Sequence, residues 1–317
     1  MYKKIVIIAL SFFSFFMAVS SYAQSQLTAS QQADRHNLAV YLSQIIRPMQ
    51  YRHHQNIDEL NRVSAWLKNQ MQKFGIPCDY QNYTVKTQNY RNVVCKLNVG
   101  ASNVTIIGAH YDVHADTDGA DDNASGVAGV LETARILAAE KGSLNQNVEF
   151  VFYTLEEPPY FRTQQMGSAV HAKSVIDQKD KISGVFILEM IGYFSPKHIQ
   201  EYPAGLKWFY PVHGNFIGAL SNLKSRQLSD AYCQAMQSIQ RLECQKLIAP
   251  SFVTGIDFSD HLNYWNHDIP AVMITDTAFF RNKNYHTKKD TVETLNLNKM
   301  KDVVDGVVLT ILNLKAK

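Results

Sequence analysis

The chain has 317 residues, of which 46% are hydrophobic and 19% are charged, so it is long enough to bury a full core. Its formal net charge of +3 includes Lys3 and Lys4, and removing these two lysines leaves +1. A charge so close to neutral argues against a protein that binds nucleic acid or a membrane surface through a basic face. We therefore expect one large globular domain with no nucleic-acid partner.

The amino terminus has the pattern of a secretory signal peptide. Two lysines precede an apolar run over residues 5–19, and "SYA" at 21–23 matches the small–x–small pattern of a signal-peptidase site. The run is shorter than the roughly 20 residues that a membrane-spanning helix needs. We predict a signal peptide over 1–23 and a mature chain over 24–317 that is secreted to the periplasm or the medium, with no membrane contact after cleavage.

Four cysteines occur in the chain, Cys78, Cys95, Cys233 and Cys244. An even number of cysteines in an exported chain predicts structural disulfides. Sequence order suggests the pairs Cys78–Cys95 and Cys233–Cys244, although four cysteines allow three connectivities. Buried free thiols are the alternative.

The first predicted elements lie in the amino-terminal third of the mature chain. Residues 24–55 are polar and are expected to be partly helical. Residues 57–74 have the apolar spacing of an amphipathic helix, and Gly75 ends it. Two strands with a turn between them are predicted over 78–85 and 92–99.

Buried strands and helices alternate from Val104 onward. Four continuous apolar runs are typical of strands covered on both faces, and they lie at 104–109, 148–155, 184–188 and 271–275. Helical spacing follows the first run over 127–138, and a last helix is predicted over about 298–314. This alternation predicts an α/β fold, a three-layer α/β/α sandwich around a mixed, mostly parallel central sheet in a single domain.

Acidic and imidazole side chains follow the buried strands. They are His110, Asp112, Asp121 and Asp122 after the first strand, Glu156 and Glu157 after the second, Glu189 after the third, and Tyr285 and His286 beyond the fourth. Open α/β sheets place their sites at this carboxyl edge. A lone histidine or a Glu-Glu pair is more often a surface feature, but Glu156-Glu157 directly follows an apolar strand.

So many carboxylates in one place would repel one another unless a cation neutralised them. Two imidazoles and several carboxylates, without thiolates, indicate a catalytic zinc site. Three carboxylates and two histidines are too many ligands for one tetrahedral ion. They suit two ions that share a bridging carboxylate.

The ordered motifs "H-x-D … G-A-D-D-N-A-S-G … E-E … L-E-M-I-G-Y … Y-H-T-x-x-D-T" lie between Gly108 and Leu295. Together they resemble the exported dizinc aminopeptidases of the MH clan, the bacterial leucyl aminopeptidase family, whose relatives include glutamate carboxypeptidases and glutaminyl cyclases. The resemblance implies that residues 24–317 form a zinc peptidase domain. It implies two zinc ions per chain and peptide substrates with a free N-terminus.

The resemblance also implies the metal ligands. Asp122 would bridge both ions. His110 and Glu189 would complete the shell of one ion, and Glu157 and His286 would complete the shell of the other.

The same resemblance suggests roles for five further side chains. Asp112 would orient the histidine two residues before it. Glu156 would be the general base that takes a proton from the metal-bridging water and passes it to the leaving amine, and Tyr285 would polarise the scissile carbonyl. Asp260 and His261 match a segment that supports the ligands without binding metal.

Two departures separate this chain from the best-known members. Glu189 stands where an aspartate is expected, and "PPYFRTQQMGS" after Glu157 is longer and more aromatic than the usual Gly-rich loop. We expect this segment to line the substrate pocket. His114 and residues 116–118 lie between ligands and are expected to form a solvated loop.

Three other functions are compatible with the same fold. A glutaminyl-peptide cyclase typically uses one zinc ion and an altered "GADDN" turn, whereas every dizinc position here carries a competent side chain. A carboxypeptidase would need a cationic pocket, for which Arg162 and Arg281 are the candidates. A non-enzymatic binding protein should have lost ligands or the general base, and this sequence has lost neither.

Overall fold

The computed structural model describes residues 26–203 and 205–314. The predicted signal peptide over 1–23 lies outside the described residues. Within the described part of the chain, no helix is long and apolar enough to cross a membrane.

Eight strands form one mixed sheet. They are β1 (Cys78–Val85), β2 (Gln88–Leu97), β3 (Val104–His110), β4 (Asn147–Tyr153), β5 (Ile182–Glu189), β6 (Phe216–Ser221), β7 (Glu243–Ile248) and β8 (Ala271–Thr275). Their order across the sheet is β1-β2-β4-β3-β5-β8-β6-β7. Strands β4, β3, β5 and β8 are mutually parallel, while β2 is antiparallel to β1 and β4, and β6 is antiparallel to β8. The predicted mixed, mostly parallel sheet is confirmed.

Helices cover both faces of this sheet. They are α1 (Arg35–Ile45), α2 (Ile57–Lys73), α3 (Gly126–Ala139), α4 (Gly167–Ser174), α5 (Arg226–Ile239), α6 (His261–Trp265) and α7 (Leu297–Asn313). Helices α1, α2, α3, α5 and α7 contribute to the larger core, and α4 and α6 contribute to the smaller one. Because successive strand residues point to opposite faces, Phe186 packs in the larger core and Ile187 in the smaller. This arrangement is the predicted three-layer sandwich.

The predicted elements agree with the structure apart from some ends, but helices α4, α5 and α6 and two strands were not predicted. Helices α2, α3 and α7 each differ from their predicted bounds by one residue at an end. Strand β2 begins four residues earlier than predicted, because Val85 pairs with Gln88 across a two-residue turn. Strands β6 and β7 were not predicted, and the partly exposed edge strand β7 carries charged residues that hide its period.

Both disulfides suggested by sequence order are present. Cys78 and Cys95 are directly paired residues of β1 and β2, so this bridge closes the hairpin. Cys233 and Cys244 join α5 to β7 at the other edge of the sheet.

Candidate metal centre

The predicted ligands meet at the carboxyl edge of the central strands. His110 is the last residue of β3, and Glu189 is the last residue of β5. Glu157 lies four residues beyond β4, and His286 is in the loop that follows β8. Asp122 comes from the turn between β3 and α3. Four of these five side chains are buried, and His286 remains 22% exposed.

The five side chains form two overlapping groups of potential ligands. One group holds His110, Asp122 and Glu189, and the other holds Asp122, Glu157 and His286. Nε2 of His110 lies 3.4 Å from Oδ1 of Asp122 and 3.3 Å from Oε2 of Glu189. Nε2 of His286 lies 3.1 Å from both Oδ2 of Asp122 and Oε2 of Glu157. The two oxygens of Asp122 therefore face different groups, which is the arrangement of a bridging carboxylate.

Several ligand atoms are buried without a hydrogen-bond partner. They are Nε2 of His110, Oδ2 of Asp122 and both carboxylate oxygens of Glu157. A buried polar atom left unpaired costs about 1–3 kcal/mol, and a charged one costs more. Because these atoms lie about 3 Å from a neighbour without hydrogen-bond geometry, a cation in each group would satisfy them. Nitrogen and oxygen donors without thiolates fit catalytic zinc.

The electrostatics of the cluster also favour a cation. Burial raises the pKa of Glu157 to about 8, and the nearby charge of Asp122 adds to this rise. Burial also raises the pKa of Glu156 well above its ordinary value. Burial alone would lower the pKa of His286, but the carboxylates of Asp122 and Glu157 outweigh it and raise that pKa to about 10. A divalent cation would displace the protons that the cluster otherwise holds.

Asp112 connects the ends of β3 and β4. Its Oδ1 lies 3.5 Å from Nδ1 of His110, on the side of the ring away from the ligand group. Its two carboxylate oxygens also accept hydrogen bonds of 3.1 Å from the backbone N–H groups of Glu156 and Glu157. The same carboxylate therefore contacts one proposed ligand and fixes the backbone of the two glutamates.

Glu156 lies beside the first group. Its Oε2 is 3.9 Å from Nε2 of His110, and the side chain is buried. Its neighbour Glu157 faces His286 instead. The two adjacent carboxylates thus reach different parts of the centre, which suits one to metal binding and leaves the other for proton transfer.

The longer side chain of Glu189 still reaches the first group. Ser259 Oγ donates a hydrogen bond of 2.6 Å to Oε2 of Glu189, and Nδ2 of Asn123 lies 3.4 Å from the same oxygen. These contacts hold the carboxylate toward His110.

Tyr285 lies against the second group, and its ring stacks on His286 with centroids 3.7 Å apart. Burial and the surrounding carboxylates raise the pKa of its phenol far above the ordinary value.

Asp260 is fully buried, both of its oxygens lack hydrogen-bond partners, and burial raises its pKa to about 7. Nε2 of His261 lies 2.8 Å from the carbonyl oxygen of Ile256. Neither Asp260 nor His261 belongs to a ligand group.

Two supporting residues were missed by sequence reasoning. Arg52 is 1% exposed and donates hydrogen bonds to the carbonyl oxygens of Tyr111 (3.0 Å), Asp118 (2.8 Å) and Gly119 (3.0 Å). No sequence motif marks it, because its partners are backbone atoms. Asp290 is the aspartate of "Y-H-T-x-x-D-T", and its carboxylate accepts from the backbone N–H groups of residues 121 and 122. The motif thus contained a signal for Asp290.

One expectation about loops was wrong in part, because Asp116 is exposed as expected but His114 is not. His114 is partly buried and its ring lies against His286, so it is not part of a solvated segment. The segment 158–168 supplies no lining residue to the apolar pocket beside the centre, whose volume is about 80 Å³, and its place in the substrate pocket stays a prediction. Glu189 and Tyr285 are among the residues that line this pocket, and other walls come from strand ends, from residues 200–203 and from residues 277–280.

Comparison with known proteins identifies a family. The sequence pattern of peptidase family M28 matches residues 92–311. The protein YfbL of Escherichia coli K12 is 39% identical, over 99% of this chain and 100% of that protein. Leucine aminopeptidase 1 of Ajellomyces dermatitidis is 26% identical, over 75% of this chain and 60% of that protein.

Solved structures share the fold. LapB from Legionella pneumophila has a TM-score of 0.71 at 20% identity, and the match covers 91% of this chain and 74% of that chain. Glutaminyl cyclase from Porphyromonas gingivalis has a TM-score of 0.67 at 18% identity, and the match covers 88% of this chain and 98% of that chain. At these identities the likeness concerns the fold alone.

Proposed function

We propose that this chain, which belongs to peptidase family M28, is a zinc-dependent aminopeptidase that acts on peptides with a free N-terminus. The observation that carries the proposal is the pair of ligand groups that share Asp122, with Glu156 beside them. The likeness to a leucine aminopeptidase supports the same activity.

Two zinc ions bound in these groups would polarise the scissile carbonyl and make water more acidic. Glu156 would take the proton of the attacking water and deliver it to the leaving amine, and its buried carboxylate beside His110 is placed for that transfer. Asp112 would fix the backbone of Glu156, and the phenol of Tyr285 would donate to the oxygen of the carbonyl.

The pocket supports removal of one N-terminal residue. It is small, Glu189 is among the residues that line it, and so are the rings of Phe216, Phe258 and Phe279. This apolar lining suits the apolar side chain of an N-terminal residue. The buried carboxylates around it would attract the positive charge of a free α-amino group.

Carboxypeptidase activity has less support. Arg281 is buried and donates to the backbone carbonyl oxygens of two neighbouring segments, and Arg162 donates to Asp257. Among the described residues that line the pocket, Lys246 is the one cation, and it pairs with Asp230. No cation in that lining is therefore left for the α-carboxylate of a substrate.

Glutaminyl-peptide cyclase activity is the second candidate, because the fold matches almost the whole of a glutaminyl cyclase. The two complete ligand groups favour the peptidase.

Export is also part of the proposal. The two disulfides support an oxidising compartment, either the periplasm or the medium.

A substrate panel tests this proposal. The mature chain, residues 24–317, is assayed with leucine and alanine anilides, with N-acetyl-leucine anilide, and with a peptide that begins with glutamine. We expect cleavage of the free anilides and none of the acetylated one. Cyclisation of the glutamine peptide without anilide cleavage would instead establish the cyclase.

A further inference from the structure

His114 is a histidine that the proposed chemistry does not use. Its ring centroid lies 4.0 Å from that of His286, with only 6° between the ring planes. Tyr285 also stacks on His286, at 3.7 Å and 17°. Two rings that both lie parallel to His286 at this distance cannot share one face of it. His286 is therefore held between His114 and Tyr285.

The two proposed histidine ligands are oriented in different ways. A metal-binding histidine usually donates its second ring N–H to an acceptor, which fixes the ring. Nδ1 of His110 follows this rule, because it lies 3.2 Å from the carbonyl oxygen of Asp112. The polar contacts of the His286 ring in the described part of the chain are the two at Nε2. Its orientation therefore depends on the rings above and below it.

The loop that carries His114 is fixed at several points. The carbonyl oxygen of His114 accepts a hydrogen bond from Thr117 Oγ1, and Val113 N–H donates to the carbonyl oxygen of Arg52. Gly119 closes the loop at φ +54, where a Cβ would collide with Val113. The loop thus presents the ring of His114 in one place, over His286.

Neither hydrogen bonding nor metal binding explains the position of the His114 ring. Nδ1 of His114 is buried without a hydrogen-bond partner, so the imidazole is not placed by that atom. His114 also belongs to neither group of potential metal ligands. The face of the ring is what contacts the centre.

We propose that His114 is a positioning residue that clamps His286 against Tyr285 and so increases the zinc affinity of the group formed by Asp122, Glu157 and His286. This inference rests on the proposed function for the identity of the metal. The interaction free energy of a stacked aromatic pair corresponds to about a 2- to 13-fold change in zinc affinity.

Three variants test the clamp by zinc affinity, measured by competition with a chelator. His114→Leu removes the stack, and His114→Phe keeps a flat ring without an imidazole. His53→Leu is the matched control, since His53 is a nearby histidine whose Nε2 contacts Asp116 at 3.5 Å. We expect His114→Leu to weaken the binding of one of the two zinc ions by about 2- to 13-fold and to leave the affinity for the other unchanged. His114→Phe and His53→Leu should bind zinc like the wild type.

Two results would overturn the clamp. Wild-type affinity in His114→Leu would mean that the stack contributes nothing. Equal losses in His114→Phe and His114→Leu would mean that the imidazole itself, and not its face, is needed. Failure of the proposed function is a separate result, because it appears in the substrate panel with the wild-type chain, whereas the clamp is judged by the zinc affinities of the variants. A wild-type chain that binds no zinc through His286 would also overturn the clamp.

Discussion

At the scale of single residues, neighbouring carboxylates in one buried space differ in what they face. Glu156 lies 3.9 Å from His110, whereas Glu157 lies 3.1 Å from His286, although the two are adjacent in the chain. Asp112 holds both backbones through its two oxygens. Position around the two histidines, and not residue type, distinguishes the proposed base from the proposed ligand.

The substitution Glu156→Gln separates these two roles. The amide has the same size as the carboxylate but cannot accept the proton from water, so we expect turnover to fall by about 10²- to 10⁴-fold. Zinc content should remain that of the wild type, because Glu156 belongs to neither ligand group. Metal analysis and anilide hydrolysis on the same preparation check this. Full activity in the variant would show that another group is the base.

Sequence reasoning found the acidic and imidazole side chains at the ends of apolar strands, and the family resemblance then singled out five of them as ligands. It did not predict Arg52, whose three partners are carbonyl oxygens that carry no side-chain signal. The stacking of His114 depends on the path of a loop, and no periodicity describes that path. Residues that act through their side chains at strand ends were thus predictable, and residues that act through loop geometry were not.

At the scale of elements, the turn between β3 and α3 is held by one residue from earlier in the chain and one from later in the chain. Arg52 precedes α2 and binds the carbonyl side of the turn, while Asp290 follows β8 and binds its N–H side. Asp122 lies between these two anchors. The position of the shared ligand therefore depends on segments about 70 and 170 residues away from it.

Removal of Arg52 should destabilise this turn. Arg52→Met keeps the length of the side chain but leaves the carbonyl oxygens of Tyr111 and Asp118 without a donor, at roughly 1–3 kcal/mol each, while Gly119 keeps the N–H of Ala124 as its donor. We expect the free energy of unfolding in urea to fall by at least about 2 kcal/mol. Arg47→Met is the matched control, because the Arg47 side chain is 53% exposed and its ion pair within residues 26–203 and 205–314 is with Glu59, at 3.8 Å. Equal stability of the two variants would contradict the role of Arg52.

The same scale explains which strands were predictable. The strands β3, β4, β5 and β8 are covered on both faces, so their apolar runs are continuous and indicate strands directly. Strand β7 is an edge strand with no fully buried residue, so its sequence has neither a continuous run nor a clean alternation. The predicted sheet was therefore correct in its centre and incomplete at one edge.

At the scale of the whole molecule, buried groups of the centre with raised pKa values make the stability of the fold depend on pH. In the metal-free protein, burial raises the pKa of Glu157 and of Asp290 to about 8. The pKa of His286 is raised to about 10 by its carboxylate neighbours, against the opposing effect of burial. Each of these groups keeps its proton in the folded state at a pH where the unfolded chain has released it.

Metal-free protein should therefore lose stability as the pH rises from about 6.5 to about 8. The folded state holds more protons than the unfolded chain in this window, so a higher pH favours unfolding. His261 has the opposite sign, because burial lowers its pKa to about 4, but it acts below the ordinary histidine pKa of about 6.5. With zinc bound the ligands are already deprotonated and the cation charge favours the ionised form of Asp290, so the decline should disappear.

Thermal melts across this window, with and without a chelator, measure the effect. We expect Tm to fall with pH in the chelated sample and to stay level or rise in the zinc-loaded one. A chelated protein whose Tm rises with pH would contradict the assignment of these groups as the dominant buried charges.

The most direct test of the central claim is the number of zinc ions bound per chain in the purified mature protein, measured by atomic spectrometry beside the variant Asp122→Asn. Two groups that share Asp122 predict two zinc ions in the wild type and loss of both ions, or of their tight binding, in the variant. A wild-type protein that holds one zinc ion, and keeps it in Asp122→Asn, would contradict the shared dizinc centre.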